Sequence, residues 1–143
     1  MPSSFLHALV AFVVTSVVLI GCVPIPILTD SSWEVKSIGG IDVDRSKGKG
    51  GLPMFRFIPD SGRVMGYGGC NQFAGPFTQD EKKVTIGPLI STRMVCPSID
   101  IENQLYKAFE MTTSVDRDGE LLVFKNGDSV LLECISSPLP LKK

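Results

Sequence analysis

The sequence predicts a mainly β domain of the α+β kind, with about seven short strands and a single helix. Three observations predict it. Short runs that alternate apolar and polar residues are separated by glycine, proline and asparagine turns. One segment alone places its apolar residues at helical spacing. Near the end, Asn126-Gly127 lies between two aliphatic runs, a strong short-range hairpin signal.

The elements follow in order. Residues 33–38 (Trp-Glu-Val-Lys-Ser-Ile) alternate as a half-buried strand does, and Gly39-Gly40 ends it. Residues 44–51 form a polar, glycine-rich loop, best read as solvated. Residues 54–58 and 63–67 read as a hairpin around the turn Pro59-Asp60-Ser61-Gly62, in which each residue type has a turn preference. The glycines of Gly66-Tyr67-Gly68-Gly69-Cys70-Asn71 are not a dinucleotide fingerprint. Gly75-Pro76 interrupts the helix that such a motif requires, so close backbone packing or a bulge explains them better. Residues 73–78 and 83–86 are short strands. Ser98 is positioned to cap a helix, with Asp100 and Glu102 in its first turn opposing the helix dipole. Ile101, Leu105, Ala108, Phe109 and Thr112 then form one face, which should cover a sheet or close a barrel end. Residues 120–125 and 128–135 make the final hairpin, and residues 136–143 a flexible tail.

The 143-residue chain is one domain by length. Its net charge of −1 leaves no basic field for nucleic acid. The first 29 residues contain no charged side chain, so the mean hydropathy of +0.22 partly reflects that segment. Residues 5–20 are almost wholly apolar and shorter than the roughly 20 residues a spanning helix needs, as in a signal peptide. The segment ends in Leu19-Ile20-Gly21-Cys22, which resembles the lipobox of bacterial lipoprotein leaders. That resemblance implies cleavage between Gly21 and Cys22 and a diacylglycerol on the Cys22 sulfur. It also implies a second acyl group on the new amino terminus, which matters because one chain alone anchors only marginally. The start lacks the usual Lys or Arg. Residues 22–30 then form the lipidated cysteine and an extended, proline-containing linker. The expected location is the cell envelope, at the outer membrane facing the periplasm in a Gram-negative cell. The only histidine is His7 in the leader, so the exported part has none. That removes Ser-His-Asp and Cys-His catalysis and histidine-ligated zinc.

Two blocks carry a family resemblance. The first is Gly69-Cys70-Asn71-Gln72-Phe73-Ala74-Gly75-Pro76-Phe77. The second is Ile86-Gly87-Pro88-Leu89-Ile90-Ser91-Thr92-Arg93-Met94-Val95-Cys96-Pro97. Together they resemble the META domain, or HslJ-like heat-shock, family over about residues 31–135. The resemblance implies a small antiparallel lipocalin-like β-barrel or curved sheet with one helix. It also implies a role in envelope stress, heat shock or antibiotic tolerance, without a defined catalytic activity.

Cys70 and Cys96 each lie in one block, and export favours a structural disulfide between them. Closing a loop of about 26 residues stabilises by roughly 3–4 kcal/mol. A redox-active pair is disfavoured, because the Cys-x-x-Cys spacing is absent. Cys134 shares a strand face with Val130 and Leu132 and reads as an inert buried thiol. Asn71, Thr92 and Arg93 are a candidate binding patch, against the plainer reading of turn chemistry for Asn71 and a surface ion pair for Arg93. Trp33 reads as a core plug. Asp42/Asp44 and Asp116/Asp118 read as solvated turn acids rather than a catalytic dyad. No metal site, cofactor or catalytic residue is expected. The expected protein is a monomeric, non-enzymatic lipoprotein that binds an envelope partner. The alternatives are a carrier with an apolar cavity lined by Phe55, Phe57, Phe73 and Phe77, a thiol-disulfide redox protein, and an inhibitor presenting the loop at 44–51.

Overall fold

A computed structural model describes residues 27–29, 31–44 and 51–138. The leader, the Gly21/Cys22 junction, most of the linker, loop residues 45–50 and tail residues 139–143 lie outside the described residues.

Among the described residues there are ten strands, one α-helix and a short 3-10 helix at Pro59–Ser61. β1 (Ser32–Ile38) is followed by β2 (Ile41–Asp42), β3 (Met54–Ile58), β4 (Arg63–Tyr67), β5 (Gln72–Asp80), β6 (Lys83–Ile86) and β7 (Ile90–Ser91). The helix α1 (Ile99–Met111) precedes β8 (Ser114–Asp118), β9 (Leu121–Asn126) and β10 (Ser129–Ser137). The sheet is antiparallel in the order β10-β9-β8-β6-β5-β4-β3-β1-β2, and β10 also pairs with β1, so its ends meet in a ring. The joints are unequal. β1 and β10 share six residue pairs, from Ser32↔Ser137 to Ile38↔Leu132, whereas β6 and β8 share only Lys83↔Ser114.

Alternation sets which side chains enter the ring. Trp33, Val35, Phe55, Phe57, Val64, Phe73, Phe77, Val84, Val115, Leu122, Phe124 and Leu132 are buried, each on the inner face of its strand. Phe55 stacks edge-on against Phe57, Phe109 and Phe124 at centroid distances of 5.6, 5.0 and 6.0 Å, and Phe57 against Phe77 at 4.7 Å. Burying a ring of this size stabilises by about 1.5–3 kcal/mol, and good edge-to-face geometry adds about 1 kcal/mol. Three of the four phenylalanines proposed to line a cavity therefore pack on one another, and Phe73 packs on Tyr106 and Phe109. Helix α1 supplies Leu105, Ala108 and Phe109 to this core. At the end where β1 starts, Leu28 is fully buried, and the Arg117 guanidinium lies over the Trp33 ring at 5.1 Å. Trp33 is thus a core residue, as expected.

Several expectations need correction. β2 and β7 have two residues each, too short to show alternation, and β8 was read as turn because its acids hide the single buried Val115. Asp116 accordingly sits on a strand, between Lys82 at 2.6 Å and Lys125 at 2.7 Å. These two ammonium groups hold its carboxyl down at about 2. The last hairpin pairs Asn126 with Ser129, so its loop is Gly127-Asp128, one residue later than expected. Gly127 there takes the positive φ of 57°. Ser136 and Ser137 are not tail but the end of β10, held against Trp33 and Ser32. Ser98 makes no side-chain cap on α1.

Candidate functional site

The two sequence blocks meet at the end of the ring opposite the entry into β1. After β4 the chain turns through Gly68-Gly69-Cys70-Asn71 and re-enters the sheet as β5. Gly69 has a φ of 109°, which side-chain-bearing residues rarely adopt. Its carbonyl accepts two hydroxyl protons, from Tyr67 and Ser98, each at 2.8 Å. The hydroxyl expected to cap the helix therefore ties α1 to this turn instead.

Glu102 reaches into the turn from the first turn of α1 and is only 2% exposed. Its Oε2 accepts the backbone N–H groups of Cys70 at 3.2 Å and Asn71 at 2.5 Å. Its Oε1 accepts Nδ2 of Asn71 at 2.8 Å. Three donors thus take the place of water around a buried carboxylate, the condition for burying one. Gly68 makes the approach possible, because a Cβ there would lie 2.7 Å from Cγ and Oε2 of Glu102.

Asn71 is 2% exposed and fully satisfied. Beyond its bond to Glu102, Nδ2 donates to the Met94 carbonyl at 3.2 Å. Oδ1 accepts the Met94 N–H at 2.7 Å and the Thr92 hydroxyl at 2.8 Å. Both amide protons and both carbonyl lone pairs are used, the whole capacity of the side chain. The Thr92 hydroxyl in turn accepts the Gln72 N–H at 3.2 Å. The Cys70–Cys96 disulfide closes the arrangement, with Cα atoms 5.7 Å apart. Cys134 is the one free cysteine among the described residues. Burial pushes its thiol well above the ordinary range, with the Glu133 charge adding to the shift.

The segment from Thr92 to Cys96 is therefore fastened from behind at three residues, and its front is apolar and open. Ile90 is 71% exposed, Met94 56% and Val95 96%. Arg93 is exposed between them. Behind the loop, Tyr106 packs edge-on against Phe73 at 5.3 Å. The Tyr106 hydroxyl is buried beside Ser91 and Glu102 without a well-formed hydrogen bond. Burial first, and then the Glu102 charge, push this phenol well above its usual range.

Of the three residues proposed as a patch, Asn71 holds the loop from inside, Thr92 is exposed but bonded to Asn71, and Arg93 faces solvent. Glu102, Ile90, Met94 and Val95 were missed as site residues. A signal for Glu102 was present. It lies three and seven residues before Leu105 and Phe109, on the apolar face of the helix. Thr92, Arg93 and Met94 lie in a loop, so no periodicity could indicate which of them face outward. Among the described residues no cluster of three or more metal-ligating side chains occurs. No described helix is long and apolar enough to cross a membrane.

A family model described as META domain matches residues 26–137. No curated protein matches the chain. Among solved structures, a protein from Burkholderia xenovorans determined by NMR is similar at 22% identity and a TM-score of 0.59. That match covers 97% of this chain and 100% of the other. A second NMR structure matches at 20% identity and a TM-score of 0.59 over 76% of this chain and 91% of the other. The crystal structure of a duf4847 family protein from Bacteroides vulgatus ATCC 8482 matches at 15% identity and a TM-score of 0.57, over 80% and 97% of the two chains. At these identities the likeness is one of fold.

Proposed function

The chain belongs to the META domain family, and from that premise we propose a non-enzymatic binding protein, lipid-anchored at Cys22, that supports envelope stress or antibiotic tolerance by docking a partner on the loop at residues 90–95. One observation carries the binding reading. Three large apolar side chains stand out to solvent on a loop whose backbone is fixed by Asn71 and the disulfide. Holding apolar groups in water on a rigid frame is the arrangement of a preorganised contact, where little ordering remains to oppose association. Arg93 beside them adds a residue type enriched at binding hot spots. The anchoring reading rests on the lipobox at Leu19 to Cys22.

Two alternatives are less well supported. An apolar carrier needs interior space, and the Phe55, Phe57 and Phe77 rings pack within the ring of strands. A thiol oxidoreductase is served by the Cys-x-x-Cys spacing that lowers a thiol pKa, and here the cysteines are 26 residues apart, with Cys70 buried and Cys96 half-buried. The test is site-specific photocrosslinking in intact cells, with a photoreactive residue at position 95 and, as control, at the exposed Lys107 of α1. A discrete adduct from position 95 alone, weakened by Arg93→Ala, is expected. No adduct, or the same smear from both positions, would overturn the docking reading. The intact mass of the membrane-extracted protein separately tests the anchor: it should begin at Cys22 and carry diacylglycerol, and a mass beginning at Met1 refutes it.

A further inference from the structure

A second surface lies away from that loop, at the thin joint of the ring. β6 and β8 share one residue pair, reinforced by backbone bonds from Val84 N–H to the Thr113 carbonyl and from Val115 N–H to the Lys82 carbonyl. Beyond it the strands diverge, and a cleft of about 560 Å³ opens between β5, β6 and the chain joining α1 to β8. That volume falls within the range of small-molecule sites.

The lining is unusual in kind. Five of its residues carry hydroxyls: Thr78, Thr85, Thr112, Thr113 and Ser114. Thr112 and Thr113 donate their protons to the carbonyls of Ala108 and Lys125 and keep oxygen lone pairs to offer. Thr78 and Thr85 stand directly opposite one another on β5 and β6, with both side chains exposed. Val84 is the one apolar residue of the lining and is buried. Lys83 and Asp80, also paired in register, put one positive and one negative charge on the wall, so the cleft has no net charge to select an ion.

The geometry points to a saccharide site: a neutral, polyhydroxylated ligand of a few sugar units in the cleft between β6 and β8. A sugar ring presents hydroxyls at its rim and C–H groups on its faces. A wall of threonines offers the matching pairs, hydroxyl to hydroxyl and methyl to C–H. The balanced charges argue against a phosphate or a free acid as the main determinant. This assignment does not depend on the docking loop.

The test is NMR titration of the 15N-labelled exported domain, beginning at Cys22 and left unlipidated, with chitotetraose and, separately, maltotetraose. Expected are saturable amide shifts within residues 78–85 and 112–114 for at least one of the two. Chitotetraose alone would indicate an N-acetylated amino-sugar polymer as the natural source, and maltotetraose alone a plain glucan. Thr78→Val and Thr85→Val keep side-chain shape on exposed strand positions while removing a hydroxyl. Each should weaken binding between about two- and tenfold, the range for one hydrogen bond. Arg93→Ala should leave binding unchanged, which separates this site from the loop. No saturable shift with either sugar at millimolar concentration, shifts confined to other residues, or affinity unchanged in both valine variants would overturn the assignment.

Discussion

Replacing Glu102 by glutamine is the sharpest perturbation of the site, because it changes one oxygen and nearly no volume. The carboxylate accepts from three donors: two on Oε2, from Cys70 N and Asn71 N, and one on Oε1, from Asn71 Nδ2. The least costly glutamine rotamer keeps its carbonyl oxygen in the Oε2 place. Two charge-assisted bonds then become neutral ones, at about 1 kcal/mol each. In the Oε1 place an NH2 group now faces Asn71 Nδ2, donor against donor, which costs a further 1–3 kcal/mol or so. Flipping the Asn71 amide gives no relief, since Oδ1 already accepts from Met94 N and the Thr92 hydroxyl. The total is about 3–5 kcal/mol, a large part of the roughly 5–15 kcal/mol that holds a domain of this size together. The assay is equilibrium urea unfolding of the chain from Cys22 onward with the disulfide intact. The midpoint should fall by about 2 M at the slopes usual for small domains. A fall below about 0.5 M would mean that the three contacts contribute little net stability, and would refute the account of the loop as fastened through Glu102 and Asn71.

The other predictions bear on neighbouring links. Gly68→Ala places a Cβ 2.7 Å from Glu102 and should lower the thermal midpoint, and a midpoint unchanged from the parent would contradict the close approach. Joint replacement of Cys70 and Cys96 by alanine should cost roughly 3–4 kcal/mol from a 26-residue separation, while the amides of Thr92, donating to the Gln72 carbonyl, and Met94, donating to Asn71 Oδ1, stay protected from hydrogen exchange. Asp116→Asn bears on acid stability. The folded carboxyl titrates near 2 rather than 3.8, so its ion pairs stabilise fully above pH 3.8 and lose that contribution as pH falls from 3.8 towards 2. Because the side chain is 36% exposed, solvent screening reduces the effect to under about 1 kcal/mol, and the variant's acid-unfolding curve should differ from the parent's above that window and converge with it below. Cys134 should resist a thiol reagent in the native protein and react in denaturant; rapid native labelling would contradict its burial.

The fold was legible where a strand is long enough to alternate. β1, β3, β4 and β6 fall where their apolar spacing placed them, and the α1 face of Leu105, Ala108 and Phe109 is the buried one. Elements of two residues left no pattern to read, and Asp116 and Asp118 on the outer face of β8 concealed a strand behind turn-like composition. The disulfide pairing was accessible because each cysteine sits in its own block. The division of labour within those blocks was not. Asn71 and Arg93 look alike in sequence as polar residues near a cysteine, yet one is the inner bolt of the loop and the other part of its outer surface. Only the helix, arriving from 31 residues downstream with Glu102, decides which is which.

The long joint between β1 and β10 bears on how the chain can mature. Ser32 pairs with Ser137, so the first strand finds its longest partner only when the last is present. Contacts this remote in sequence make folding slow, because a long loop must close before its contacts stabilise it. A chain emerging amino terminus first therefore stays unclosed, with Trp33 and Phe55 unsheltered, until its final strand is free. Closure of the ring therefore waits on residues 129–137, the segment that completes the β1 joint.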